Sequence, residues 1–481
     1  MTTMTETTAP AAPSTARRGR SMLLASGRAS LALIAAAAAT ALAAGVLLVP
    51  GPSSAPTVPA LAVTPDRSDQ SLVCAGGALG LTRGDDPQVA VVAAERRLSA
   101  GAGLVEGALA ASDAVGGGAA VVTLPREAPG EVLAAAESVQ PETADVAGLA
   151  AAECLTPGRT AWLVGGATTV GRTTWIVLSN ADDVDAAVDL SLWGDAGPIE
   201  APGTSGLIVA AGTQRIVPLA GLAVDEGSPV VSVTSTGGSV AATLQTTIVR
   251  GLTPSGISIV TPIAEPALRH VIPALPVTAG ELVRERSTID GGTDGSPALR
   301  LLAPGDEGAL VTVTLVPAAG GVGLVTEAAL EPGVVLDLPV TELADGEYGV
   351  VIESTEPIVV AGRTSTAGTG DAADVEWFTP SPALPVGAEV LVGVAPLGPG
   401  QSALLHLLAP AEGAEVTIDG LPVTVPPGGM AVVPSAADAG VRISATGVVH
   451  VSATYRGDGL LAGSRALPPP SAVGALTVLP Y

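Results

Sequence analysis

The sequence predicts an all-β body of tandem β-sandwiches, immunoglobulin-like in kind, following an N-terminal transmembrane helix. Three observations carry that reading. Short Val-, Thr- and Ile-rich runs of 5–8 residues, broken by Gly, Pro and Asp, fill the chain from about Arg172 onward; such runs suit pleated, half-buried surfaces. The same order of runs returns roughly every hundred residues, the length of a small sandwich. A twenty-residue stretch without charge, preceded by arginines, stands alone near the N-terminus. The alternative fold is a β-propeller, because two blades per sequence unit would give the same period.

Residues 1–29 read as a cytoplasmic disordered tail ending in Arg17, Arg18, Arg20 and Arg28. Residues 30–50 read as a signal anchor or a signal peptide. The run 30–49 carries eight Leu, Ile or Val among its twenty residues. As a helix it spans about 30 Å, the thickness of a bilayer core. Those eight side chains supply about −2.5 to −5 kcal/mol of insertion free energy. Arginine on the N-terminal side alone places that side in the cytoplasm, so everything after Pro50 is expected outside. The run is long for a signal peptide, which favours a single-pass anchor. The small-residue segments 41–43 and 60–62 allow cleavage, so a secreted protein is the alternative. Residues 51–70 read as a Pro-rich linker.

Cys74 and Cys154 are the only cysteines. Outside the membrane they are expected to form one structural disulfide. The nearest histidine is His270, so a Cys-ligated metal has no partner close in sequence. The bridge falls in a degenerate N-terminal β module at 71–170, which is Ala- and Gly-rich and holds one expected short helix at 129–139. Three further β modules follow at 171–275, 276–385 and 386–481. Each opens on related strands (174–193, 298–316 and 403–420). Each continues to an apolar run ending in Pro and closes on a strand pair. The Pro-rich connectors at 261–277 and 377–394 read as straps between modules. Few contacts are expected to cross them, so that 385–481 would fold alone.

Composition narrows function. Acids outnumber bases 46 to 21, every base is Arg, and aromatics are 2% of the chain. A nucleic-acid partner would need a basic face and stacking rings. The mean hydropathy of +0.52 excludes a disordered polyampholyte. No P-loop, G-x-S-x-G elbow or metal-spaced His pair occurs. His406 and His450 sit inside apolar strands and read as satisfied core residues, and His270 lies in a connector. Acids cluster at Asp182, Asp183 and Asp185, at Asp290 and Asp294, and at Asp371, Asp374 and Glu376. They read as solvated turns, with calcium bracing the lesser alternative. The adjacent rings Trp377 and Phe378 are the candidate ligand contacts.

The layout resembles a family of single-pass envelope proteins of high-GC Gram-positive bacteria, known only as a domain of unknown function. The carrying features are the Arg-flanked helix, V-C-A-G-G-A-L-G at 73–80, the L-x-x-P-G-D-E-G-A opening around Pro304, the strand-Pro motif and W-F-T-P-S-P-A-L at 377–384. The resemblance implies no site residues. The expected function is a non-enzymatic, membrane-anchored or secreted envelope protein with a structural or interaction role and no cofactor. Its expected partners are the membrane, through the N-terminal helix, and a cell-wall polymer or envelope protein. A carbohydrate- or peptidoglycan-binding module is the alternative, and a secreted hydrolase the second alternative.

Overall fold

The computed structural model describes residues 61–63, 69–128, 132–290, 295–321, 323–340, 343–468 and 476–478. The expected membrane helix at 30–50 and the tail at 1–29 lie outside the described residues. Among the described residues, no helix is long and apolar enough to cross a membrane. Leu61–Val63 pairs antiparallel with Leu476–Val478 and belongs to a small unit of its own. Asp66–Gly474 forms the second, compact unit.

That unit is almost entirely β, built from four pairs of sheets with one recurring strand order. The last pair shows it most simply. One sheet runs Glu389–Val394, Ala439–Ala445, Ala414–Ile418, Leu421–Val425; the other runs Gly429–Ser435, Ser402–Ala409, His450–Gly457, Leu460–Arg465. Numbered along the chain, the order is 1-6-3-4 and 5-2-7-8. The second pair repeats it from Thr160–Val164 to Thr253–Val260, with its fourth strand split into Gly197–Ile199 and Leu207–Val209. In the third pair, strands six and seven are fused into the single strand Tyr348–Ala367. Its first half pairs with Ala309–Pro317 and Ala267–Ile272, its second with Ala298–Leu302 and Ala373–Phe378. The chain passes between sheets around Pro357, where a missing N–H costs no ladder bond. The first pair is reduced to 1-6-3 and 2-7-8, from Gln70–Val73 to Ala150–Glu153.

Alternation sets the inward faces. In Ala186–Gly194, Val188, Leu190 and Leu192 are buried while Asp189 and Ser191 are exposed. They meet Ile176, Leu178 and Leu244 of the facing sheet in one aliphatic core. Cys74 and Cys154 are bonded, as the sequence led one to expect, and lie buried beside Leu72, Val122 and Leu124.

Two expectations need correction. Ala134–Val139 is not helical. It is the middle strand of a three-stranded sheet, buried along its whole length, so ladders on both edges override the helical preference of alanine. A helix, α1, stands instead at Gly280–Asp290. Arg286 fixes it by donating to the carbonyls of Gly368, Gly370 and Ala372. The connectors are not lightly engaged straps. Ala267–Ile272 and Glu389–Val394 are the first strands of the sheet pairs that follow them, and Ile263 exchanges two backbone hydrogen bonds with Trp162. A proline-rich segment suits this place because an edge strand needs only half of its N–H groups.

Candidate functional site

The eighth strands of the four repeats converge. Ala150–Glu153 touches Thr253–Val260 and Leu460–Arg465, and Ala373–Phe378 touches the same two, which closes a cycle around one axis. Strands that end a sheet carry apolar residues on their inward face, so polar side chains on this axis need partners from neighbouring repeats.

Asp374 is the first such residue. Its carboxyl is fully buried and accepts a backbone N–H from every repeat: Leu149 at 2.7 Å, Ile257 at 3.1 Å, Val375 at 3.0 Å and Leu461 at 3.1 Å. Two glycines make room for it. A Cβ on Gly148 would lie 2.5 Å from Asp374 Oδ1, and one on Gly256 would lie 3.1 Å from it. Both glycines also hold positive φ, of 132° and 144°, which side-chain-bearing residues rarely adopt. Burial drives the Asp374 carboxyl well above the usual carboxylate range, and the four amides pull against that shift. Glu376, two residues along the same strand, is raised by burial and by the neighbouring Asp374.

Arg465 is the second hub. Its Nε and Nη2 each lie 2.7 Å from Glu153 Oε1, and its own backbone N–H donates to Glu153 Oε2 at 2.8 Å. Nη1 donates to the carbonyls of Pro262 at 2.8 Å and Pro380 at 3.3 Å. One guanidinium thus joins the first repeat, the fourth, and the connectors that follow the second and third.

Beside this axis lies a cavity of about 690 Å³, bordered by residues of all four repeats. Glu153, Glu265, Arg269, His270, His450 and Arg465 are its ionisable members. His270 Nε2 bonds the Ile358 carbonyl and His450 Nδ1 the Ser381 carbonyl, both at 2.7 Å. Burial lowers both imidazoles below their ordinary value, so they are neutral at pH 7. His406 is buried in the fourth repeat, bonded to Thr454 at 2.9 Å, and burial brings it down to about 4.

The sequence reading of the third acid cluster is overturned. Asp371 is exposed, but Asp374 and Glu376 are buried at the centre of the unit. Asp182 and Asp185 do lie in turns, where they accept the N–H groups of Ser239 and Ala211. Among the described residues, no group of three or more His, Cys, Asp or Glu is placed to hold a metal ion. Trp377 and Phe378 are both buried. Phe378 packs in the core of the third repeat. Trp377 has the guanidinium of Arg300 4.6 Å from its ring centre and that of Arg363 at 5.5 Å. Its edge borders a second cavity.

Sequence reasoning missed Glu153, Arg465 and the true place of Asp374. One signal was available: in 373–378, acids alternate with apolar residues and run directly into Trp-Phe. That is a strand with one acidic face, whereas a turn would carry Gly or Pro.

The family profile described as "Family of unknown function (DUF5719)" matches residues 109–429, more than half of the chain. No curated protein matches. Among solved structures, a chain described as Thermotoga maritima 1070 is similar at 17% identity over 24% of this chain and 93% of that one, with a TM-score of 0.19.

Proposed function

We propose, for a chain that belongs to the DUF5719 family of unknown function, that it is an exported, non-enzymatic envelope protein acting as a rigid β-repeat scaffold for interaction. In this reading residues 30–50 hold it in the membrane as a single-pass anchor. Secretion after cleavage is the variant. The body is a set of tandem immunoglobulin-like sandwiches closed on one axis.

The observation that carries the reading is the use made of the buried charges. Asp374 takes one amide from each repeat, and Arg465 ties Glu153 to two connectors. An acid–base catalyst needs a carboxyl facing a ligand space. Asp374 and Glu376 border neither cavity, and both oxygens of Glu153 are held by Arg465. The charges serve cohesion between repeats. The disulfide supports an oxidising destination. The excess of acids suits an exported body held off anionic surfaces.

The test has two arms. A membrane-impermeant carboxyl-directed label on intact cells is expected to reach the body, which has no lysine; labelling only after lysis overturns export. Cross-linking of intact envelope followed by mass spectrometry is expected to recover envelope proteins joined to the body. Retention by insoluble wall polymer, competed by soluble saccharide, would instead favour the carbohydrate-binding reading, for which the cavity beside Trp377 is the supporting observation.

A further inference from the structure

We propose that the cavity of about 690 Å³ beside the axis is a binding site for an uncharged aliphatic molecule with a hydroxyl head. The inference goes beyond the scaffold reading and holds whether or not the chain is exported.

The walls select an aliphatic body. Leu72, Leu133 and Leu155 come from the first repeat, Ile263 from the connector after the second, and Leu391 and Leu467 from the fourth. Apart from the two imidazoles, no aromatic ring borders the space among the described residues, so a flat ligand finds little to stack on. Pro262, Pro380, Pro382 and Pro468 also border it. Proline has no N–H to leave unpaired in an apolar space. The carbonyls of Pro262 and Pro380 are already taken by Arg465. Backbone bonds hold the walls in place. Leu155 exchanges two with Val73, both at 2.8 Å. Ser381 donates its N–H to the Val271 carbonyl at 3.0 Å and its hydroxyl to the Val451 carbonyl at 2.7 Å. The space is thus preformed, and its volume is that of a small-ligand site.

The charges disfavour an ionic ligand. Arg465 and Glu153 satisfy each other. Arg269 lies 3.7 Å from Glu353, and Glu265 is exposed to solvent. An anion therefore meets no surplus cation, in a chain of net charge −25. A solvated carboxylate such as Glu265 is a weak anchor for a cation. One acceptor remains for a neutral head. His450 Nδ1 bonds the Ser381 carbonyl, which can only accept, so Nδ1 carries the proton and Nε2 of the neutral ring is an acceptor. Among the described residues that nitrogen has no hydrogen-bond partner. A ligand hydroxyl supplies the missing donor.

The experiment titrates the full chain with 1-decanol by calorimetry, beside 1-octanol, nonyl methyl ether and sodium decanoate. Decanol is expected to bind saturably at about 0.1 mM or tighter. Octanol, shorter by a pair of methylenes, should bind about tenfold more weakly. The ether matches decanol in size but cannot donate, and should bind about three- to tenfold more weakly. Decanoate should also bind more weakly than decanol, because its charge would be desolvated without a partner. A diazirine-bearing decanol, photolysed on the chain, locates the site: labelled peptides should contain Leu133, Ile263 or Leu391. Absence of saturable decanol binding overturns the proposal. So does octanol, the ether or decanoate binding as tightly as decanol, or labelling confined to other peptides.

Discussion

Replacing Arg465 with Met tests whether the axis holds the repeats together. Methionine has a similar reach and keeps the volume filled, so the loss is of charge and hydrogen bonds and not of packing. Glu153 is 6% exposed and would keep only the Arg465 backbone N–H on Oε2. Orphaning one member of a buried ion pair costs about 3–5 kcal/mol. The carbonyls of Pro262 and Pro380 also lose a donor, at about 1 kcal/mol for the two in excess of what entering water restores. The expected total is about 4–6 kcal/mol, read as a shift of the urea midpoint at constant slope. The companion Glu153→Gln/Arg465→Met variant removes the stranded charge. It should recover several kcal/mol relative to the sum of the two single variants, because residues in contact are not additive. A loss below about 1 kcal/mol for Arg465→Met, or additive single variants, would refute the assignment of Arg465 as a hub.

Other outcomes follow from the same coordinates. Glu137 is fully buried, with Oε1 accepting the N–H groups of Ala75 and Gly76, and burial raises it from 4.5 to about 8. A raised folded-state value gives stability that is complete below pH 4.5 and lost as pH rises through about 8. The gap between those values, at 1.36 kcal/mol per pH unit, is about 5 kcal/mol as an upper figure. Glu137→Gln should remove that slope from a series of melts, and a wild-type-minus-variant difference that stays flat with pH would contradict it. The Cys74–Cys154 bridge closes a separation of 80 residues, worth about 4.5 kcal/mol by loop entropy. Reduction should therefore lower the melting temperature, while an unchanged melt would show the first repeat to be braced by other means. A fragment of residues 385–481 is expected to aggregate or stay unfolded. Leu461 N–H, Arg465 and the strand Leu460–Arg465 would lose the partners that Asp374, Glu153 and the neighbouring repeats supply. A cooperative melt of that fragment would restore the picture of independent modules.

Much of the strand layout was legible because period-2 alternation records burial directly. Ala309–Pro317 and Ser402–Ala409 fall where Val, Leu and Thr alternate or run together between turn residues. The alanines of 134–136 were not legible, since alanine favours a helix when isolated and enters a strand only when ladders on both sides supply the bonds. Gly280–Asp290 was missed for the converse reason: the helix is largely polar, and its anchor is a set of carbonyls about eighty residues downstream.

By itself the sequence determined the β class, the recurrence of a strand order near every hundred residues, and the pairing of two lone cysteines. Each depends on local pattern or on a count that permits one solution. The tertiary structure alone decided that the repeats close on an axis. It turned Asp374 from a solvated acid into an acceptor for four repeats, and it drew arginines 172, 250 and 363 around one cleft. Those facts depend on backbone N–H groups and side chains separated by up to 312 residues, as for Glu153 and Arg465. A buried charge is tolerable only where such distant partners converge, and no local property of the chain encodes that convergence.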